Sequence, residues 1–167
     1  MEFTVRRVEL PDWRLVREVR LRALSDAPSA FGSTFEEEAE REDFFWKGTV
    51  ERLAWFVAED AGEPAGVIAV LPPEIHRQNR FEVISTWVAR EHRGAGVGEA
   101  LLGAALEWAR AAGATELTLS VTMGNETARR FYERLGFKPT GTQKPLRSNP
   151  TVSALELRLP LAAASST

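Results

Sequence analysis

The sequence predicts an α/β (α+β) domain in which a mixed sheet is covered by helices. Two observations carry this prediction. The β-rich runs AWFVAED (54–60) and GVIAVL (66–71) follow each other across the short segment AGEPA, whereas later β-rich runs are joined through segments of helical period. Local and crossover connections therefore coexist. In addition, the apolar period changes abruptly beyond residue 99, from strand alternation to helical spacing.

The elements follow in order. FTVRRV (3–8) reads as a first strand, after which Pro11 and Asp12 open a helix with Trp13, Val16, Val19, Leu21 and Leu24 on one broad stripe. SDAP ends it. A second helical run begins at Thr34, where Glu36, Glu37 and Glu38 suit the positive end of a helix dipole and read as a solvated helix start. AWFVAED and GVIAVL are expected to pair as a hairpin around Gly62 and Pro64. RFEVISTWVA (80–89) alternates Glu82, Ile84 and Thr86 against Val83, Ser85 and Trp87, as a strand with two different faces would. Ala100, Leu101, Ala104, Ala105, Trp108, Ala109 and Ala112 then recur at helical spacing, with Gly113 placed to end the helix. Strand ELTLSV, helix NETARRFYERLG, a short strand at FKPTG and a last strand SALELRL complete the chain. A single domain over 1–160 is expected, followed by a short frayed tail over 161–167.

Composition narrows the function classes. The chain has 167 residues, which suits one core burying roughly two thirds of the unfolded surface. No apolar run approaches the roughly 20 residues of a membrane span, and the N-terminus has no apolar segment of signal-peptide type, so a cytoplasmic protein is expected. A formal charge of −3 argues against a nucleic-acid partner, and the absence of cysteine excludes thiol catalysis.

HRGAGVGEALL (92–102) places glycines at alternate positions between a strand and a helix, where backbone N–H groups are ready donors for a phosphate. It fails the dinucleotide pattern G-x-G-x-x-G, because the sixth position from Gly94 is Glu99, and the NTPase G-K-[ST] is absent. The spacing R-x-x-G-x-G at Arg93, Gly96 and Gly98 instead resembles the acetyl-CoA pyrophosphate loop of the GNAT N-acetyltransferase superfamily. TWVAREHRGAGVGEALL (86–102) is similar to that family's strand, bulge, loop and helix, and GNETARRFYERLGF (124–137) to its second signature.

The resemblance implies a mixed, mostly antiparallel sheet of about six to seven strands with helices on both faces. It also implies acetyl-CoA as cosubstrate, no metal, and an amine acceptor that is a small molecule, an amino-acid-like compound or a peptide. A homodimer is compatible with it. Thr86, Trp87 and Val88 would pair with the pantetheine arm and offer a backbone donor to the oxyanion. Gly94, Ala95, Gly96, Val97, Gly98 and Glu99 would present amides to the pyrophosphate beside the charge of Arg93. Asn125 reads as a helix N-cap, and the resemblance adds a contact to CoA. Tyr132, the only tyrosine, matches the family's general acid, and its phenol is protonated near neutral pH. Glu82 resembles the glutamate many such enzymes use as base, while a second family glutamate position is Ser120 here. His76 and His92 read as surface residues. Segments 27–35, 71–80 and 141–151 are expected to form an acceptor cleft, with Phe31 and Phe35 beside carboxylates. A non-catalytic acyl-CoA sensor on the same fold is the main competing reading.

Overall fold

A computed structural model describes residues 2–162. Seven strands form one sheet in the order β1-β2-β3-β4-β5-β7-β6. They are β1 (Thr4–Arg7), β2 (Ala54–Asp60), β3 (Glu63–Leu71), β4 (Glu82–Val88), β5 (Glu116–Thr122), β6 (Lys138–Leu146) and β7 (Asn149–Pro160). Only β4 and β5 pair in parallel; every other neighbouring pair is antiparallel. Helices α1 (Trp13–Asp26), α2 (Phe35–Ala39) and α3 (Asp43–Arg52) lie on one face, and α4 (Val97–Ala111) and α5 (Glu126–Arg134) on the other.

Two cores result. Trp55, Val57, Val67 and Ala69 point towards the α1 face, while Phe56, Ala58, Ile68 and Val70 point towards α4. Because β2 and β3 are covered on both faces, their sequences read as continuous apolar runs rather than alternating ones. The stripe expected on α1 is buried throughout, at Trp13, Val16, Val19, Leu21 and Leu24.

Five details depart from the sequence reading. First, the helical run from Thr34 splits into α2 and α3. The Thr34 hydroxyl caps α2 by accepting the Glu37 N–H at 3.2 Å, but Glu38 is not solvated. Its carboxylate is 8% exposed and accepts two bonds from Arg20, each 3.0 Å, while the Arg20 guanidinium stacks on Phe31. Second, the β2–β3 turn is made by Ala61 and Gly62, both at positive φ, as in the hairpin turns that match strand twist. Pro64 lies inside β3 beside a register shift, where a missing N–H is tolerated.

Third, the strict alternation along β4 is broken. Val67 pairs with Trp87 but Ala69 pairs with Ile84, so β4 carries one extra residue, and Ser85 has φ 59. This bulge sends Val83 to the α4 face and Trp87 to the α1 face, although alternation puts both on one side. Fourth, Leu161 is not frayed: it is 8% exposed within the core, and its N–H donates to Thr115 O at 2.8 Å. The rest of the expected tail, 163–167, lies outside the described residues. The FKPTG strand is also longer than expected, so 141–151 is mostly the end of a β6–β7 hairpin.

Candidate active site

β4 and β5 touch at a single register pair, Glu82 with Thr118, and part beyond it. Parallel strands that stop pairing leave backbone N–H and C=O groups without partners, and such groups need a ligand or water. Thr86, Trp87 and Val88 lie on β4 beyond that last pair, at the mouth of the loop.

The loop itself is shaped by two residues that only glycine satisfies cheaply. Gly94 and Gly96 have φ 80 and 86, and a Cβ at either would meet nothing within 4 Å, so the conformation rather than the space demands glycine there. Gly96 is the N-cap of α4, with no side chain capping the first turn. The N–H groups of Val97, Gly98 and Glu99 therefore lack helical acceptors. Gly98 has a further use: a Cβ there would come within 3.2 Å of the Phe131 ring, so α5 packs directly against this turn. Ala95 and Glu99 are exposed, and only Val97 is buried. Uncapped amides at a helix start, beside an open glycine turn, fit a phosphate group.

Arg93 is placed differently from the expectation. Its Nε donates to Val88 O at 3.1 Å and its Nη2 to Asp26 Oδ2 at 2.9 Å, so the guanidinium folds back onto the end of β4. Asp26 also accepts the Trp87 indole N–H at 2.8 Å. The Asp26 carboxyl is held below its ordinary range chiefly by that indole bond, with Arg93 and Arg90 adding positive charge. The Trp87 side chain is thus locked on the α1 face, and only its backbone faces the cleft. An open cavity of about 520 Å³ adjoins it there, lined by Leu21, Arg22, Ser25, Asp26 and Phe35 among others.

Tyr132 is buried at 7% exposure, edge-on to Phe131 and Phe137. Burial pushes its phenol above the ordinary value, and a hydrogen bond with the Thr86 side chain offsets part of this. That contact puts the phenol beside the stretch of β4 that no longer pairs with β5. Asn125 caps α5 by accepting the Ala128 N–H at 3.2 Å.

Glu82 sits four residues before Thr86, at most about 13 Å away along the strand. It belongs to a charged cluster that the sequence reading did not assemble. His76 Nε2 is 3.4 Å and Arg80 Nη2 is 3.6 Å from the Glu82 carboxylate. Arg80 Nη2 also donates to Glu156 Oε2 at 2.6 Å, and Thr140 donates to Glu156 Oε1 at 3.0 Å. Burial would push the Glu156 carboxyl up, but Arg80, Thr140 and the charge of Lys144 hold it below its ordinary value. Glu156 pairs across the strands with Ser120. Glu156 was not singled out in the sequence, although it is visible there as a carboxylate between Leu155 and Leu157.

Neither histidine is a surface residue. The His76 side chain is 7% exposed. His92 is 9% exposed and its Nε2 lies 3.0 Å from Asp60 Oδ2, away from the loop's amides. Among the described residues, no group of three or more histidine, aspartate or glutamate side chains could hold a metal ion. No helix among them is long and apolar enough to cross a membrane.

The strand bulge, glycine turn, uncapped helix and parted strands agree with a family match: the chain belongs to the acetyltransferase (GNAT) family, whose model covers residues 20–137. Rat N-acetyltransferase family 8 member 3 is 34% identical over 89 residues, which is 52% of this chain and 39% of the relative. The match therefore spans about two fifths of that curated relative's length. Among solved structures, nourseothricin acetyltransferase is 37% identical with a TM-score of 0.58, covering 65% of each chain. An acetyltransferase from Salmonella typhimurium, solved with its cofactor acetyl-CoA, shares the fold at a TM-score of 0.73 and 19% identity, covering 100% of this chain and 98% of that one.

Proposed function

We propose that the protein transfers the acetyl group of acetyl-CoA directly to a primary amine, with both substrates bound together in the opening between β4 and β5. The observation that carries this reading is the placement of Tyr132. A buried, protonated phenol beside Thr86 stands at the stretch of β4 that pairs with β3 but no longer with β5. The amides of Val97, Gly98 and Glu99 would hold the pyrophosphate, with Gly94, Ala95 and Gly96 shaping the turn. Thr86, Trp87 and Val88 would line the pantetheine arm through their backbone, and Asn125 would contact CoA from the start of α5.

The chemistry assigned to this chain is proton traffic and positioning. Glu82, directly or through water, takes the proton the attacking ammonium must lose. Tyr132 gives its proton to the departing thiolate, and its raised pKa keeps that proton available at neutral pH. Donors on β4 stabilise the developing oxyanion, an effect worth about 3 kcal/mol where one such donor is removed. Without cysteine, no thioester on the protein intervenes.

A small amine or amino-acid-like acceptor is the preferred class. Supporting it are the absence of a glutamate at Ser120 and the similarity to an acetyltransferase named for nourseothricin rather than for a protein. The test is CoA release from acetyl-CoA across a panel of amines and peptides. Release should require an amine and fall about 10²–10⁴-fold in Tyr132→Phe or Glu82→Gln. Unchanged turnover in both variants would remove the assignment, and tight binding without turnover on any amine would favour an acyl-CoA sensor.

A further inference from the structure

His76 lies in the turn-rich segment between β3 and β4, which sequence alone offers as a loop of the acceptor cleft. Its ring is nevertheless held by a hydrogen bond at one nitrogen and faces a carboxylate with the other. Nδ1 accepts the Gln78 N–H at 2.9 Å, and Nε2 faces Glu82 Oε2 at 3.4 Å. An imidazole nitrogen that accepts a backbone N–H carries no proton, so the proton of the neutral ring sits on Nε2 and points at the carboxylate. The segment is also held by backbone bonds from Ile75 and His76 to Pro72 O and from Asn79 to His76 O. The loop therefore presents one chosen tautomer to one chosen carboxylate.

We infer that His76 is the positioning residue for Glu82: its ring, seated with Nε2 towards Oε2, holds the Glu82 side chain in one orientation. The inference rests on the reading of Glu82 as the base. Every charged group around the pair is consistent with it. Arg80 lies just before β4 and is shared with Glu156 on β7, which Thr140 and Lys144 on β6 also engage. Arg80 is thus committed mainly to Glu156, at 2.6 Å against 3.6 Å for Glu82. His76 is left as the closer partner of Glu82.

The two nitrogens can be separated by substitution. Asparagine places an acceptor where Nδ1 stands and naturally bonds the N–H two residues on, so His76→Asn keeps the turn and loses only the contact with Glu82. Glutamine extends an N–H to the place of Nε2, so His76→Gln restores it. Measured with acetyl-CoA and an active amine, His76→Asn should lose roughly tenfold in kcat with KM for acetyl-CoA unchanged, a part of what a positioned base supplies. His76→Gln should recover most of the rate.

A His76→Asn variant with the parent kcat, or one that loses kcat only together with a raised KM for acetyl-CoA, would overturn the inference, as would a glutamine variant no better than the asparagine one. Glu82→Gln, run alongside, separates the two levels. If it is inactive while His76→Asn is normal, only the positioning role falls; if it is fully active, the base assignment falls and this inference with it.

Discussion

Gly66→Ala tests how the strand and the helix that flank the loop are held together. Gly66 on β3 pairs with Val88 on β4, just before the loop. A Cβ built at this position would stand 2.8 Å from Trp87 O, 3.0 Å from Leu101 Cδ1 and 3.3 Å from Val97 Cγ1. The first neighbour is backbone and cannot rotate away, and the other two belong to the first turns of α4. Something must shift, and the soft direction is for the end of β4 and the start of α4 to move apart. Overpacking of this kind costs about 1–3 kcal/mol. For a domain of this size each kcal/mol lowers Tm by roughly 2–4 °C, so a drop of roughly 2–12 °C is expected. The same displacement moves the amides of Val97, Gly98 and Glu99 relative to β4, so acetyl-CoA binding should weaken along with stability. Thermal unfolding and calorimetric titration of the purified variant would read both. A variant with unchanged Tm and unchanged affinity would refute the claim that Gly66 sets this spacing.

Other positions give independent tests. Glu38→Gln leaves the buried Arg20 guanidinium without its charge partner and should cost about 3 kcal/mol in urea unfolding. Asp26→Asn should be less stable than the parent at neutral pH. The native carboxyl is held below its ordinary value, so the stability it contributes is present above about pH 4 and fades as pH falls through the native value. The gap between variant and parent in urea unfolding should therefore close in acid. Because Tyr132 is the only tyrosine, an ultraviolet pH titration reports it alone. Tyrosinate should appear only above about pH 10 in the folded protein, with stability lost as pH rises through that transition, and an onset near neutrality would contradict the general-acid role.

Much of the architecture was legible because local pattern and tertiary context agreed. The stripe from Trp13 to Leu24, the caps at Thr34 and Asn125 and the glycine turn at Gly94 and Gly96 each have a local physical cause. Where they disagreed, tertiary context won. The β4 bulge reverses the face of Trp87, which no alternation rule anticipates, because the extra residue is visible only against the partner strand β3. Glu38 resembles any helix-start acid until Arg20, 18 positions away, is packed against it. The residues proposed as acid and as phosphate loop lie in two contiguous motifs. The cluster around Glu82 does not, since His76 and Arg80 come from the β3–β4 connection, Thr140 from β6 and Glu156 from β7, and only the sheet order brings these three segments together. Arg93 shows the same limit: its spacing suggests a phosphate contact, yet Asp26 at the end of α1 claims its guanidinium.

The central claim is that acetyl-CoA enters the opening between β4 and β5 with its thioester at Tyr132. A crystal structure of the protein with CoA tests it most directly. The account predicts the pyrophosphate on the amides of Val97, Gly98 and Glu99, the pantetheine arm along Thr86 to Val88, and the sulfur within hydrogen-bonding reach of the Tyr132 hydroxyl. CoA seated instead in the cavity beside Leu21, Arg22 and Phe35, with Tyr132 far from the sulfur, would contradict it.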